Sequence, residues 1–230
     1  MTPLVLLPGM MCDARLFGPQ IATFSGRRPI INAPISLRSN VADLARDILA
    51  IAPARFALAG LSMGGIVAME VLRQAPDRVE RIALLDTNPL PEGDEFKARR
   101  LKQMMLVKQG GLATVMREEM KPNYLCDGPR RTEILDLCLD MALQLGPHVF
   151  LNQSRALMDR PDQTETLRQA RLPALVLCGE YDALCPVSRH ELMAGLIPAA
   201  RLTVIKGAGH LPTLEQPEMT NKAIARWLED

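Results

Sequence analysis

Gly60-Leu61-Ser62-Met63-Gly64-Gly65 decides the fold through what flanks it. Upstream, Arg55-Phe56-Ala57-Leu58-Ala59 is a short apolar run after Pro53, long enough for a buried strand and too short for an independent helix. Downstream, residues 65–74 carry a helical pattern stopped by Pro76. Ser62 therefore belongs on a strand-to-helix turn. A reversal this sharp forces the serine towards an unfavourable backbone conformation and leaves no room for a Cβ two residues before or after it, which Gly60 and Gly64 satisfy. The turn would lift the Ser62 hydroxyl above the sheet edge and aim the Met63 N–H at a developing oxyanion from the positive end of the helix.

A serine nucleophile needs a base within hydrogen-bond reach and a third group to orient that base. Three histidines are available, His148, His190 and His210. His210 ends a glycine-rich loop, Lys206-Gly207-Ala208-Gly209-His210, after an apolar strand candidate at 202–205, and strand-end loops carry catalytic side chains in open α/β sheets. It is the expected base, with a structural loop histidine as the plain alternative. His190 sits among Ser188, Arg189 and Glu191 at the polar start of a helix and reads as a solvated surface residue, while His148 follows Pro147 in a different region. For the acid, Asp182 follows the strand candidate Ala174-Leu175-Val176-Leu177-Cys178. Asp86 competes, after Arg81-Ile82-Ala83-Leu84-Leu85, and Glu180 is the outside choice. An aspartate after a strand can also be a simple turn former.

These residues carry a resemblance: the chain is similar to the α/β-hydrolase family. Ser62, Asp182 and His210 stand in the order that family uses, each after a strand. Leu4-Val5-Leu6-Leu7-Pro8-Gly9-Met10-Met11 resembles its first core strand and oxyanion loop, and Gly207-Ala208-Gly209-His210-Leu211-Pro212 its histidine loop. Many members have His-Gly where this chain has Pro8-Gly9. By position, the resemblance assigns the second oxyanion donor to the backbone N–H of Met10, with Met11 as the alternative donor and a tentative pocket residue.

Read coarsely, strands fall near 3–7, 28–32, 55–60, 81–86, 174–178 and 201–205, alternating with helices near 40–52, 64–75, 187–197 and 217–229. The expected fold is α/β: a mostly parallel six-stranded sheet of α/β-hydrolase type, helices on both faces, without the antiparallel hairpin that opens larger members. Residues 1–88 and 166–230 would form the core, and 89–165 a helical cap inserted after the fourth strand. Its expected helices, 92–108, 112–120, 130–144 and 148–158, are separated by Gly110-Gly111, Pro122-Asn123, Gly128-Pro129 and Gly146-Pro147.

The cap holds Met104, Met105, Met116, Met120, Met141 and Met158, read first as packing between amphipathic helices and second as an adaptable apolar pocket. Its Arg99, Arg100, Lys102, Arg117, Arg130 and Arg131 are interspersed with acids, as on a solvated helix face.

The 230 residues carry a net charge of +1, which gives no electrostatic case for nucleic acid or an anionic membrane surface. Apolar runs fall short of a bilayer span, and Met1-Thr2-Pro3-Leu4 lacks the charged start of a signal peptide. Cys12, Cys126, Cys138, Cys178 and Cys185 are odd in number and lack metal-ligand spacing, so free thiols in the cytoplasm are expected. Cys12 and Cys185 lie near the proposed oxyanion and acid loops, but neither sits on an elbow.

Taken with the resemblance, these features imply hydrolysis of a small, apolar carboxylic ester, thioester or lactone through an acyl-enzyme on Ser62. No cofactor and no metal is expected, and the partner is a small-molecule substrate. The family also contains C–C bond hydrolases and lyases with the same triad. A ligand-binding or receptor-like protein is the alternative of a different class, because one scaffold hosts many functions.

Overall fold

A computed structural model describes residues 1–229. Six strands, β1 (Leu4–Leu7), β2 (Ile30–Asn32), β3 (Phe56–Leu61), β4 (Val79–Leu85), β5 (Ala174–Gly179) and β6 (Ala200–Ile205), form one sheet in the order β2-β1-β3-β4-β5-β6. Every pairing is parallel, so the sheet is wholly rather than mostly parallel. Strands β1, β3 and β5 are buried at every position, and this is why they read in the sequence as unbroken apolar runs.

Alternate residues of each central strand serve two cores. Val5, Leu7, Leu58, Leu84 and Val176 pack with the helices Val41–Ile51, Met63–Gln74 and Val187–Leu196. On the other face Leu4, Leu6, Ala59, Leu85 and Leu177 pack with Gly18–Phe24 and Pro217–Glu229, where Trp227 is buried. Local chemistry agrees with these boundaries. Asn40 caps the Val41–Ile51 helix by accepting the Asp43 N–H at 2.8 Å, and its apolar stripe Val41, Leu44, Ala45 and Ile48 faces inward.

Register aligns the strand ends that matter. Leu7 lies opposite Gly60, Leu61 opposite Leu85, Leu85 opposite Leu177, and Gly179 opposite Ile205. The loops after β1, β3, β4, β5 and β6 therefore leave from one edge of the sheet. The chain winds outward from β1 to β2, then returns to place β3 on the opposite side of β1. This order reversal opens a crevice between β1 and β3, where ligands bind in sheets of this kind.

Between β4 and β5 the described residues are helical rather than extended. Asp94–Lys108 matches expectation, but the segment expected as one helix over 112–120 is an α-turn at Leu112–Thr114 followed by a π-helical stretch, Val115–Met120. Helical structure runs from Arg131 to Met158, 28 residues, long and apolar enough by length and composition to cross a bilayer. It is two limbs, because Gly146 adopts φ 81° and ψ 174° and Pro147 lacks an N–H to continue the ladder. The Gly146-Pro147 division read from the sequence is thus present. Two short helices, Gly18–Phe24 and Thr164–Gln169, have no counterpart in the sequence reading.

Candidate active site

Ser62 occupies the turn between β3 and the Met63–Gln74 helix with φ 55° and ψ −117°, a conformation that costs a side-chain-bearing residue on the order of 1–3 kcal/mol. The surroundings hold it there. Its N–H donates to Leu85 O at 2.9 Å, and its carbonyl accepts from the N–H of Gly65 at 2.9 Å and from Thr87 Oγ1 at 2.7 Å. A Cβ on Gly60 would lie 2.2 Å from the Gly64 carbonyl oxygen, and one on Gly64 would lie 2.0 Å from Leu7 O. The two glycines are required because the elbow presses against itself and against the end of β1.

His210 Nε2 is 2.9 Å from Ser62 Oγ, and His210 Nδ1 is 2.8 Å from Asp182 Oδ2. The structure thus brings together the three side chains that sequence order singled out. Asp182 is 5% exposed and His210 4%. The histidine loop is fastened from two directions. Glu215 accepts the N–H groups of Gly209 and Leu211 at 3.0 Å, and His210 N–H donates to Tyr124 O at 2.7 Å in the segment between β4 and β5.

The two candidate acids are set apart by their partners. Burial alone would raise the Asp182 pKa, but the His210 ring and the N–H groups of Leu184 and Cys185, at 2.8 and 2.9 Å, outweigh it and hold the carboxyl below its usual value. Asp86 is fully buried. Burial first, then the charge of Asp182, pushes its carboxyl well above the ordinary range, although Gly179 N–H donates to Oδ1 at 2.8 Å. Burial and the nearby Asp182 thus disfavour charge on Asp86, while its partners favour charge on Asp182.

His190 does not have the exposed position its polar neighbours implied: it is 0% exposed. Its Nε2 accepts the Thr87 N–H at 3.1 Å and Nδ1 faces Pro186 O at 3.3 Å, which defines a neutral ring with the proton on Nδ1. Burial lowers its pKa to about 4, against a partial rise from the Pro186 carbonyl and Asp182. Through Thr87, this histidine braces the carbonyl of Ser62.

In the loop after β1, the N–H of Met11 donates to Gln153 Oε1 at 2.8 Å, and Gln153 Nε2 donates on to Ile35 O at 3.0 Å. Met11 also has φ 56° and a side chain fully buried in the core, outside the cavity at Ser62, so its reading as a pocket residue is corrected. Met10 does line that cavity. The Met11 N–H is thus already bonded, within the loop that the resemblance assigns to the oxyanion. Met63 begins its helix, where an N–H has no preceding carbonyl to bond. Gln153 gave no usable sequence signal, being one amide on a cap helix.

A cavity of about 340 Å³ opens over Ser62 and His210. Met10, Met63, Ile66 and Leu157 give it apolar walls, and Phe96, Met120 and Tyr124 reach it from the segment after β4. Of the methionines in that segment, Met104, Met116 and Met141 are buried, as packing between amphipathic helices requires, while Met105 is 58% exposed. Arg99, Lys102, Arg117 and Arg130 are exposed, as a solvated face requires, but Arg100 departs from that expectation. Arg99 and Arg100 both line the cavity, and the Arg100 side chain is only 14% exposed, its guanidinium forked onto Glu92 at 2.8 Å through Nε and Nη2.

Asp182, Cys185 and His210 place metal-type ligand atoms within 4.8 Å of one another, but both histidine nitrogens are already engaged, with Asp182 and Ser62. The Cys12 and Cys185 thiols are pushed well up by burial and are not thiolates.

A parallel sheet covered on both faces, with a strained serine at the β1/β3 switch point and a buried histidine and aspartate beside it, defines the class as an α/β enzyme of hydrolase type. The chain belongs to the alpha/beta hydrolase family, whose family model matches residues 4–223. It is similar to a thermophilic esterase from Thermogutta terrifontis, solved with malate bound: 30% identity, TM-score 0.91, covering 100% of this chain and 90% of that one. It is also similar to the putative carbamate hydrolase RutD of Azorhizobium caulinodans, 24% identical over 97% of this chain and 89% of that protein. A pimeloyl-[acyl-carrier protein] methyl ester esterase of Aromatoleum aromaticum is 29% identical over 69% of this chain and 68% of its own length. The chain is a hydrolase of the α/β type.

Proposed function

We propose that the chain is a serine esterase for small carboxylic esters, with Ser62 as nucleophile, His210 as general base and acid, and Asp182 as its orienting carboxylate. The observation that carries this reading is the continuous hydrogen-bonded line from Ser62 Oγ through both His210 nitrogens to Asp182, 2.9 and 2.8 Å, standing at a strained elbow.

His210 Nε2 takes the hydroxyl proton as Ser62 Oγ attacks the ester carbonyl, and Asp182 stabilises the imidazolium that forms. Charge on the carbonyl oxygen is met by the N–H groups of Met10 and Met63, each donor being worth about 10²–10³ in rate in comparable sites. His210 returns the proton to the leaving alkoxide, which departs as the alcohol. Water, deprotonated by the same nitrogen, then attacks the acyl-enzyme and releases the acid and free Ser62. In this account residues 89–165 act as the cap over a core of 1–88 and 166–230, and the apolar walls from Met10, Met63 and Ile66 receive a hydrocarbon part of the substrate. Among the described residues no disulfide joins the cysteines, which accords with a reducing compartment such as the cytoplasm.

Turnover of 4-nitrophenyl esters from acetate to octanoate tests this. Wild type should hydrolyse them, and Ser62→Ala should lower kcat by at least about 10³-fold with the fold intact. Retained hydrolysis in a folded Ser62→Ala protein would refute the assignment.

A further inference from the structure

Four arginines, Arg99, Arg100, Arg160 and Arg189, line the cavity over Ser62 against two glutamates, Glu92 and Glu119. One of those glutamates is shared. Glu92, its side chain 3% exposed, accepts Arg100 through Nε and Nη2 and Arg160 through Nη1 at 2.9 Å, so a single carboxylate lies between two guanidinium groups that are themselves 14% and 10% exposed. Arg160 is further tied by Nε to Leu90 O at 2.9 Å. Fastening the segment after β4 to itself accounts for all of these bonds.

It does not account for Arg100 Nη1. That nitrogen, on a residue that lines the cavity, meets the thioether of Met10 at 3.4 Å, a weak acceptor for a charged donor. The fork onto Glu92 fixes the guanidinium plane, so Nη1 is pre-aimed at the residue whose backbone N–H is the assigned oxyanion donor. The guanidinium of Arg189, which also lines the cavity, has no hydrogen bond or ion pair among the described residues, and Arg99 rests on the Phe96 ring at 4.9 Å. The cavity thus combines apolar walls beside the nucleophile with a surplus of positive charge.

We infer that the substrate is an ester bearing a free carboxylate, separated from the scissile carbonyl by an apolar spacer about as long as a methionine side chain, and that Arg100 Nη1, with Arg189, receives that carboxylate. This rests on the esterase reading of the same site. A carboxylate oxygen would replace the thioether as the Nη1 acceptor, and a charge-assisted bond of this kind discriminates against the neutral analogue by roughly 10–100-fold. The carboxylate can belong to the acyl part or to the alcohol part, and the two sources are separable.

Two length-matched pairs test the claim: monomethyl adipate against methyl hexanoate for the acyl side, and 6-acetoxyhexanoate against hexyl acetate for the alcohol side. On wild type, one anionic ester should exceed its neutral partner in kcat/KM, and the pair that does so identifies the source. In Arg100→Gln that ratio should fall by about 10–100-fold, and in Arg189→Gln by a smaller factor. Arg189→Gln keeps the test valid if Arg100→Gln fails to fold, because its guanidinium holds nothing together among the described residues. A neutral preference in both pairs, or a ratio unchanged in the variants that fold, would overturn the inference. Calorimetric Kd values of the same esters on Ser62→Ala separate this from the esterase reading. Anionic preference that depends on the arginines, without turnover by wild type, would uphold the carboxylate site and refute the esterase. Turnover without such preference would do the reverse.

Discussion

Asp86 and Asp182 end adjacent strands β4 and β5 with their carboxyls close enough to perturb each other, and only Asp182 bonds to His210. Proximity settles their division of labour. Two carboxylates sharing a buried site cannot both ionise cheaply, and the one with a histidine and two N–H donors keeps the charge. Asp182→Asn should therefore lower kcat by about 10³–10⁴-fold, whereas Asp86→Asn, which leaves the Asp182–His210 bond in place, should stay within about threefold of wild type. Steady-state ester hydrolysis decides it, and a larger loss in Asp86→Asn would transfer the acid role.

Asp86 and His190 shape the pH dependence of stability in opposite directions. His190 takes a proton near 6.5 when unfolded but only near 4 in the fold, so its contribution is complete above the unfolded value and is lost as pH falls through that window. At about 1.4 kcal/mol per unit this amounts to roughly 3 kcal/mol. Asp86 acts oppositely. Its folded pKa is raised, so its contribution is present below the unfolded value of 3.8 and is lost as pH rises through the folded one. The two slopes offset each other in mildly acidic solution. Removing Asp86 with asparagine should expose the acid lability of His190, seen as a urea midpoint that drops from pH 6.5 to 4.5 more steeply than in wild type. Equal slopes would contradict the raised pKa of Asp86.

Gln153 is a positioning residue for the oxyanion loop. Gln153→Leu would orphan the Met11 N–H and the Ile35 carbonyl, at about 1–3 kcal/mol for each buried group left unpaired. We expect a loss of about 2–5 kcal/mol in chemical denaturation and, in the folded fraction, a fall in kcat that exceeds any rise in KM. A stable variant with wild-type kcat would remove Gln153 from the account.

Gly64→Ala should be more damaging than an average core change, since its Cβ would collide with the backbone of Leu7 at 2.0 Å and no flexible atom can yield. Loss of at least about 3 kcal/mol, or failure to accumulate folded protein, is expected by circular dichroism and thermal denaturation. Near-normal stability would mean that the elbow does not press on β1 as described.

Much of this was legible because the chain states it locally. The runs Leu4–Leu7, Phe56–Leu61 and Ala174–Gly179 are apolar at every position because both their faces are covered, and glycines at 60 and 64 leave little choice of turn. Strand ends and glycine-rich loops point to Ser62 and His210, but at strand ends Asp86 competes with Asp182, and the family order favours Asp182. What stayed hidden depends on partners distant in sequence. His190 is surrounded by exposed neighbours, and its burial follows from a bond to Thr87 across 103 positions. Arg100 looks solvated until Glu92 and Met10 close on it, and Gln153 acquires its role from a loop 142 positions away. The π-helical stretch at Val115–Met120 has no pattern that separates it from an ordinary helix.

The central claim is an activated Ser62, and the most direct measurement is the intact mass of wild type and Ser62→Ala after exposure to a small alkyl fluorophosphonate. The account predicts one stoichiometric phosphonyl adduct on wild type and none on the variant, because covalent capture requires both the His210-activated hydroxyl and donors for the phosphonyl oxygen. An unmodified, correctly folded wild type, or an adduct that persists in Ser62→Ala, would contradict it.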